Sequence, residues 1–186
     1  MDNEKKNLTA KETFVSALQN HQKNNFQVAE NLYKKTLKTN PNHFESIFYL
    51  GTLFVQTQRF GLAKSLLYKA TQINPNYAAA HNNLGPVFHN LGHTQKAISC
   101  YEKAIQINPN YTSAYNNLGK ILGELNHVNE AKKYFEKSLN LDPNNKKACE
   151  GYGDILLKLN QHSKAIAYIR RGTGLIQFTE KAVTII

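Results

Sequence analysis

The stretch that decides the fold opens with Asn82-Asn83-Leu84-Gly85, continues through Ala97-Ile98-Ser99-Cys100-Tyr101-Glu102-Lys103-Ala104-Ile105, and closes on Asn108-Pro109-Asn110-Tyr111. Its landmarks recur in both directions along the chain. Pro109 belongs to a series with Pro41, Pro75 and Pro143, each 34 residues from the next. If proline is position 32, the repeats run 10–43, 44–77, 78–111, 112–145 and 146–179, and the last keeps the pattern only to residue 171. Leu84-Gly85 (positions 7 and 8) returns as Leu50-Gly51, Leu118-Gly119 and Tyr152-Gly153. Ala97 (position 20) returns as Ala29, Ala63, Ala131 and Ala165, and Tyr101 (position 24) as Tyr33, Leu67, Phe135 and Ile169. A fixed period of this size means stacked supersecondary units.

Each repeat carries two helical periods, as in Ile47, Leu50 and Phe54 followed by Ala63, Leu66, Leu67, Ala70 and Ile73. Glycine inside a helix costs about 1 kcal/mol relative to alanine. Its recurrence predicts that helix A approaches helix B too closely for a side chain at position 8. Alanine at positions 20 and 27 (Ala70, Ala104) serves the same packing. Proline ends helix B and turns the chain into the next repeat, aided by the preceding Asn or Asp. One such hairpin cannot bury its apolar face alone, so neighbours must stack. The fold class is all-α.

These residues resemble the tetratricopeptide repeat (TPR) family, and the resemblance covers about 162 residues, 10 to 171. It implies a right-handed solenoid of about five 34-residue helix-turn-helix units. It further implies that helix A lines the concave surface, with positions 2, 5, 6, 9, 12 and 13 facing a ligand. Repeats 3 and 4 also resemble those of O-linked N-acetylglucosamine transferases, through the pairs Asn82-Asn83 and Asn116-Asn117. The carboxylate clamp of chaperone-binding arrays is not matched. Asn117 and Lys147 are in place, but Asn82, Pro86 and Gly151 stand where Lys, Asn and Arg belong.

The ends depart from the pattern. Residues 1–9 read as a flexible N-terminus before the solenoid of 10–171. Thr13 and Ser16 make the first helix A less apolar, which suits a cap. Gly172-Thr173-Gly174 reads as a helix terminator. Residues 172–186 form an apolar tail, read as a capping helix with Leu175, Phe178, Ala182 and Ile186 on one face, as a strand, or as the start of an absent domain.

Composition narrows the function classes. With 41% hydrophobic and 19% charged residues the chain is neither disordered nor a membrane protein, and no apolar run is long enough to span a bilayer. No secretory signal is visible, and cytoplasmic is the default location. Cys100 and Cys149, in different repeats, read as small buried hydrophobes. His93 and His127 (position 16) and His162 (position 17) belong to turns; His43 lies in an inter-repeat turn, His21 ends the first helix A, and His81 reads as a packed interior side chain. His89 and His93 fail metal geometry, because Gly92 ends the helix between them. The residues therefore predict no enzyme activity, no cofactor and no metal.

Position 26 carries Lys35, Lys69, Lys103, Lys137 and Arg171, a basic stripe on the convex side. It reads as a solvent face rather than a nucleic-acid track, because aromatic interleaving is absent and Glu102 and Glu136 adjoin two of the lysines. The predicted peptide-binding groove centres on repeats 3 and 4. Asn82, Asn83, His89, Asn116, Asn117 and Lys120 supply polar contacts, and Phe48 and Val55 apolar ones. An asparagine amide both donates and accepts, so it can grip a peptide backbone, or it can bond within the array and fix stacking. Pro86 removes a helical hydrogen bond inside helix A of repeat 3, at about 3 kcal/mol, and is expected to kink it. The expected function is a protein–protein interaction module that binds an extended peptide or partner helix. The alternative is the substrate-recruiting N-terminal arm of a larger enzyme whose catalytic domain follows Ile186. Partners are proteins or peptides, with nucleic acid disfavoured and a homodimer through the C-terminal end left open.

Overall fold

The computed structural model describes residues 2–174, 176–179 and 182–185, with side chains described over 10–174. Ten helices follow one another: α1 (Asp2–Gln22), α2 (Phe26–Thr39), α3 (Phe44–Gln56), α4 (Phe60–Ile73), α5 (Ala78–Asn90), α6 (Thr94–Ile107), α7 (Thr112–Glu124), α8 (Val128–Leu141), α9 (Lys146–Lys158) and α10 (His162–Thr173). They make five helix–turn–helix hairpins. Starts of the A helices (α3, α5, α7, α9) fall 34 residues apart, as do starts of the B helices (α2, α4, α6, α8, α10). The chain divides into two compact units, Met1–Cys100 and Tyr101–Ile186.

Small residues set the contact between A and B helices. Ala29, Ala63, Ala97, Ala131 and Ala165 are all fully buried. A methyl group on Gly51 would lie 2.9 Å from Leu67, on Gly119 3.0 Å from Phe135, and on Gly153 2.5 Å from Ile169. All three neighbours occupy position 24. The recurrent glycine thus makes room for the recurrent large side chain sixteen residues later. Close packing of this kind is what rewards the helical glycine for its entropic cost.

Turns repeat as faithfully as helices. Residues Asn24, Gln58, Gly92, Asn126 and Asn160, all at position 15, have φ between 57° and 79°. Asn and Gly tolerate this left-handed conformation; Gln does so only with strain. We expect Gln58→Gly to stabilise the protein by about 1 kcal/mol, read as a rise in melting temperature. At the other turn, the Asn or Asp before proline accepts from the backbone two residues on: Asn42 N donates to Asn40 Oδ1, Asn110 N to Asn108 Oδ1, and Asn144 N to Asp142 Oδ1. Proline's own carbonyl is bonded too. Pro75 accepts from His81 Nε2 (2.9 Å), Pro109 from the Tyr115 hydroxyl (3.1 Å), Pro41 from Lys69 (2.8 Å) and Pro143 from Arg171.

Two sequence expectations are corrected, at residues 2–9 and at His81. Helix α1 takes in residues 2–9, read as a flexible N-terminus; the segment has no Gly or Pro, and acidic residues favour a helix start. Helix α10 ends within the Gly172-Thr173-Gly174 triplet, as expected, and Gly172 itself permits close approach to α9: a methyl there would meet the Lys146 carbonyl at 2.9 Å. The terminator is Gly174, left-handed with φ 67°, whose N–H donates to the Arg170 carbonyl. Beyond it the described residues form an antiparallel pair, β1 (Ile176–Thr179) and β2 (Ala182–Ile185), with Ile176 opposite Ile185, which is the strand among the three readings of the tail. Ile, Val and Thr favour that pairing; Leu175 and Ile186, assigned to the expected helical face, lie outside the described residues. His81 is half-buried and bonded to Pro75, rather than enclosed in the core.

Candidate functional site

The A-helix face is built differently in the two compact units. In the first, α1 ends at a polar cluster. His21 is buried; its Nε2 faces Gln56 Oε1 at 2.7 Å and its Nδ1 faces the Tyr33 hydroxyl at 3.1 Å. An amide oxygen only accepts, so in the neutral imidazole Nε2 carries the proton and Nδ1 accepts from Tyr33. Burial pushes the Tyr33 hydroxyl well above its ordinary range, keeping it a donor. His21, Leu18, Gln22, Tyr49, Thr52 and Gln56 line a recess of about 360 Å³. Thr52 Oγ1 donates to the Phe48 carbonyl and accepts from Asn83 Nδ2, both at 2.9 Å, so α3 and α5 are linked along this face.

Of the residues expected to line the groove, Asn83, His89, Val55 and Pro86 are half-buried on α3 and α5. Asn82 is only 7% exposed and donates to Asn83 Oδ1 at 3.3 Å. Phe48 is buried between Phe44, Tyr49 and Tyr77, with ring centroids 6.4, 5.2 and 4.9 Å away. Its bulk belongs to the aromatic core, not to a ligand surface. Helix α5 runs from Ala78 to Asn90 through Pro86, whose carbonyl accepts from Asn90 Nδ2 at 2.8 Å.

In the second unit Asn117 is half-buried and Lys120 exposed, whereas Asn116 is buried and donates to Asn145 Oδ1 at 3.0 Å. That same oxygen caps α9 by accepting from Ala148 N at 3.0 Å. Asn116 thus holds a helix cap in place. Beside it, α7 and α9 leave a cleft of about 450 Å³. Gly119, Gly123 and Gly151 open it above the Phe135 ring, and Lys120, Glu124, Asp154 and Lys158 form its rim. The floor exists because repeat 5 has Gly151 where repeats 3 and 4 have Asn83 and Asn117. Leu157, 40% exposed, adds an apolar edge.

The basic stripe is partly engaged within the protein. Lys69 and Arg171 each reach a proline carbonyl of the preceding repeat, and Lys103 donates to Gln106 Oε1 at 2.9 Å. Lys35 and Lys137 are exposed. Burial pushes the Cys100 thiol up to about 11 and raises Cys149 as well, which favours the protonated thiol in both. Among the described residues no three His, Cys, Asp or Glu side chains are grouped to hold a metal, and no helix is long and apolar enough to cross a membrane.

Sequence reasoning missed the cleft over Phe135, the His21–Tyr33–Gln56 cluster, and a buried ion pair in which Glu30 meets both Arg59 and Lys34 at 2.7 Å. Only the cleft had a legible signal, the asparagine-to-glycine change at position 6.

Comparison with known proteins places this architecture. The chain is similar to Pseudomonas aeruginosa pilF, at 23% identity and a TM-score of 0.80 over 91% of this chain and 77% of that one. It is similar to a thermophilic TPR protein of Thermus thermophilus, at 16% identity and 0.76 over 89% and 90%. It also resembles YrrB, a TPR protein with an unusual peptide-binding site, at 20% identity and 0.64 over 87% and 84%. No curated protein sequence matches the chain. The ten helices are a TPR array. The family described as CABIN1 N-terminal domain matches residues 7–170, and the chain belongs to that family.

Proposed function

We propose that the chain is a protein-interaction module that takes an extended peptide or a partner helix on the face presented by its A helices. The observation that carries this reading is the cleft between α7 and α9: an aromatic floor, an apolar edge at Leu157 and a rim of both charge signs. Such a mixture of an apolar socket and a few charged groups suits one large apolar side chain flanked by polar backbone. Lys120 and Asn117 stand beside the cleft on α7. In the first unit, Asn83, His89 and Val55 would make the corresponding contacts on α3 and α5. Asn82, Asn116 and Phe48 act behind this face, by packing and by holding the turn at Asn145. The similarity to YrrB, whose peptide-binding site is described as unusual, supports the general class and no particular residue.

The test is a selection of peptides on the immobilised chain, followed by calorimetry. Leu157→Arg places a charge at the cleft edge without touching the core, and it should weaken selected peptides by about tenfold or more. Asn83→Ala should weaken those that engage the first unit. Peptides that bind both variants as tightly as the parent chain would overturn the reading.

A further inference from the structure

The first compact unit contains a charge imbalance that the groove does not use. No Asp or Glu occurs between Glu45 and Glu102, yet Arg59, Lys64, Lys69 and Lys96 all lie in that interval. Arg59 is neutralised by Glu30, and Lys69 is tied to the Pro41 carbonyl. Lys64 on α4 and Lys96 on α6 instead flank one ring, that of Phe88 on α5, with ammonium groups 5.9 and 5.8 Å from its centroid. His93, in the turn after α5, packs on the same ring at 6.4 Å between centroids.

Corresponding positions in neighbouring repeats reveal what this arrangement accepts. One repeat earlier, Phe54 (position 11) carries the Arg59 guanidinium (position 16) at 4.3 Å from the ring centroid. Arg59 is bonded in turn to the buried carboxylate of Glu30, at position 21 of the preceding repeat. In register, Phe88 replaces Phe54, His93 replaces Arg59, and Lys64 replaces Glu30. In repeat 4, within the second compact unit, position 16 is His127, which meets Glu130 at position 19 at 3.5 Å. Position 19 of repeat 3 is Lys96. Both places from which other repeats draw a carboxylate therefore hold lysine here. Among the described residues neither lysine has an ion-pair partner.

Two ammonium groups and an imidazole gathered on an aromatic ring, with no internal anion, attract an external one. We propose that Lys64, His93 and Lys96 around Phe88 dock an acidic segment of a partner protein, one of whose carboxylates fills the role that Glu30 fills one repeat earlier. The precedent inside the molecule is the buried Glu30, whose carboxylate meets Arg59, and the Phe88 ring offers an apolar surface beside the corresponding place. Charge complementarity of this type sets partner choice and encounter rate. The inference rests on the reading of the chain as a protein-interaction module, but not on the cleft, since Lys64 and Lys96 belong to B helices and His93 to a turn.

Amide chemical shifts of the full chain, titrated with a hexaglutamate peptide, test this. Perturbations are expected at Lys64, Phe88, His93 and Lys96. The double variant Lys64→Glu/His93→Arg rebuilds the Glu30–Arg59 arrangement internally; it should keep the parent melting temperature and weaken the peptide by about tenfold. Lys96→Leu, which copies Leu62 at the same position of repeat 2, should weaken it as well and serves if the double variant does not fold. Leu157→Arg should leave hexaglutamate binding unchanged, so that failure at this site and failure of the cleft are told apart. Undiminished binding in both lysine variants would overturn the proposal. So would perturbations centred on Lys132, Lys133 and Lys137, or the same pattern produced at lower concentration by inorganic phosphate or a DNA duplex.

Discussion

Gly153→Ala is expected to destabilise the protein by about 2–3 kcal/mol, the upper part of the range for overpacked cores. The added methyl would lie 2.5 Å from Ile169 Cγ1 and 3.2 Å from both the Ala165 carbonyl oxygen and the Ile169 nitrogen. A side chain can turn away from such a contact; the backbone of α10 cannot. Gly61→Ala is the matched control. Gly61 lies in the first turn of α4, is exposed, and has nothing within 4 Å of the added methyl. There alanine should stabilise by about 0.5–1 kcal/mol, through helix propensity and a less free unfolded chain. The same substitution thus changes sign between two helical glycines. Thermal melts of the two variants measure it, and a neutral Gly153→Ala would mean that α9 and α10 pack more loosely than their separation implies.

Arg59→Ala should cost about 2 kcal/mol. Removing one partner of a fully buried ion pair costs about 3–5 kcal/mol; 39% of the Arg59 side chain is in water, and Lys34 still faces Glu30, so the loss is smaller. The pair also makes stability depend on pH. The Arg59 guanidinium, bonded to Glu30, holds that carboxyl below its ordinary value of 4.5, against the opposing effect of burial and with help from Lys34. A carboxylate whose pKa is lower in the folded chain than in the unfolded one contributes stability above the ordinary value and loses it as pH falls through the folded value. The parent protein should therefore lose this contribution progressively below about pH 4.5. Arg59→Ala should be less stable at neutral pH and show a shallower acid transition. Identical acid profiles for the two proteins would count against the pair as a stabilising contact.

The fold was legible because small side chains recur at the period where helices A and B touch. Alanine at position 20 is fully buried five times over, and glycine at position 8 meets the position-24 side chain wherever its surroundings are described. The left-handed turn at position 15 went unread, although Asn24, Gly92, Asn126 and Asn160 carry a signal for it and only Gln58 blurs it. The groove was harder to read. Periodicity places positions 5 and 6 on the same helical turn, but not the depth of each. Asn82 and Asn116, at position 5, are buried, while Asn83 and Asn117, at position 6, stay half-exposed. The Glu30–Arg59 pair was invisible for another reason. Its partners are 29 residues apart on different repeats, and the charges follow no period. The tail kept three readings because its apolar residues fit a helical face and a strand equally well, and its described residues form the strand pair.

The joint between repeats accepts many chemistries for a single task. An imidazole at His81, a phenol at Tyr115, an ammonium at Lys69 and a guanidinium at Arg171 each deliver a hydrogen to the carbonyl of the proline before them. Any donor of sufficient reach will do, from either of two positions in the repeat. Natural variation can therefore exchange side chains of quite different size and charge at these joints while the articulation survives, as long as one donor remains.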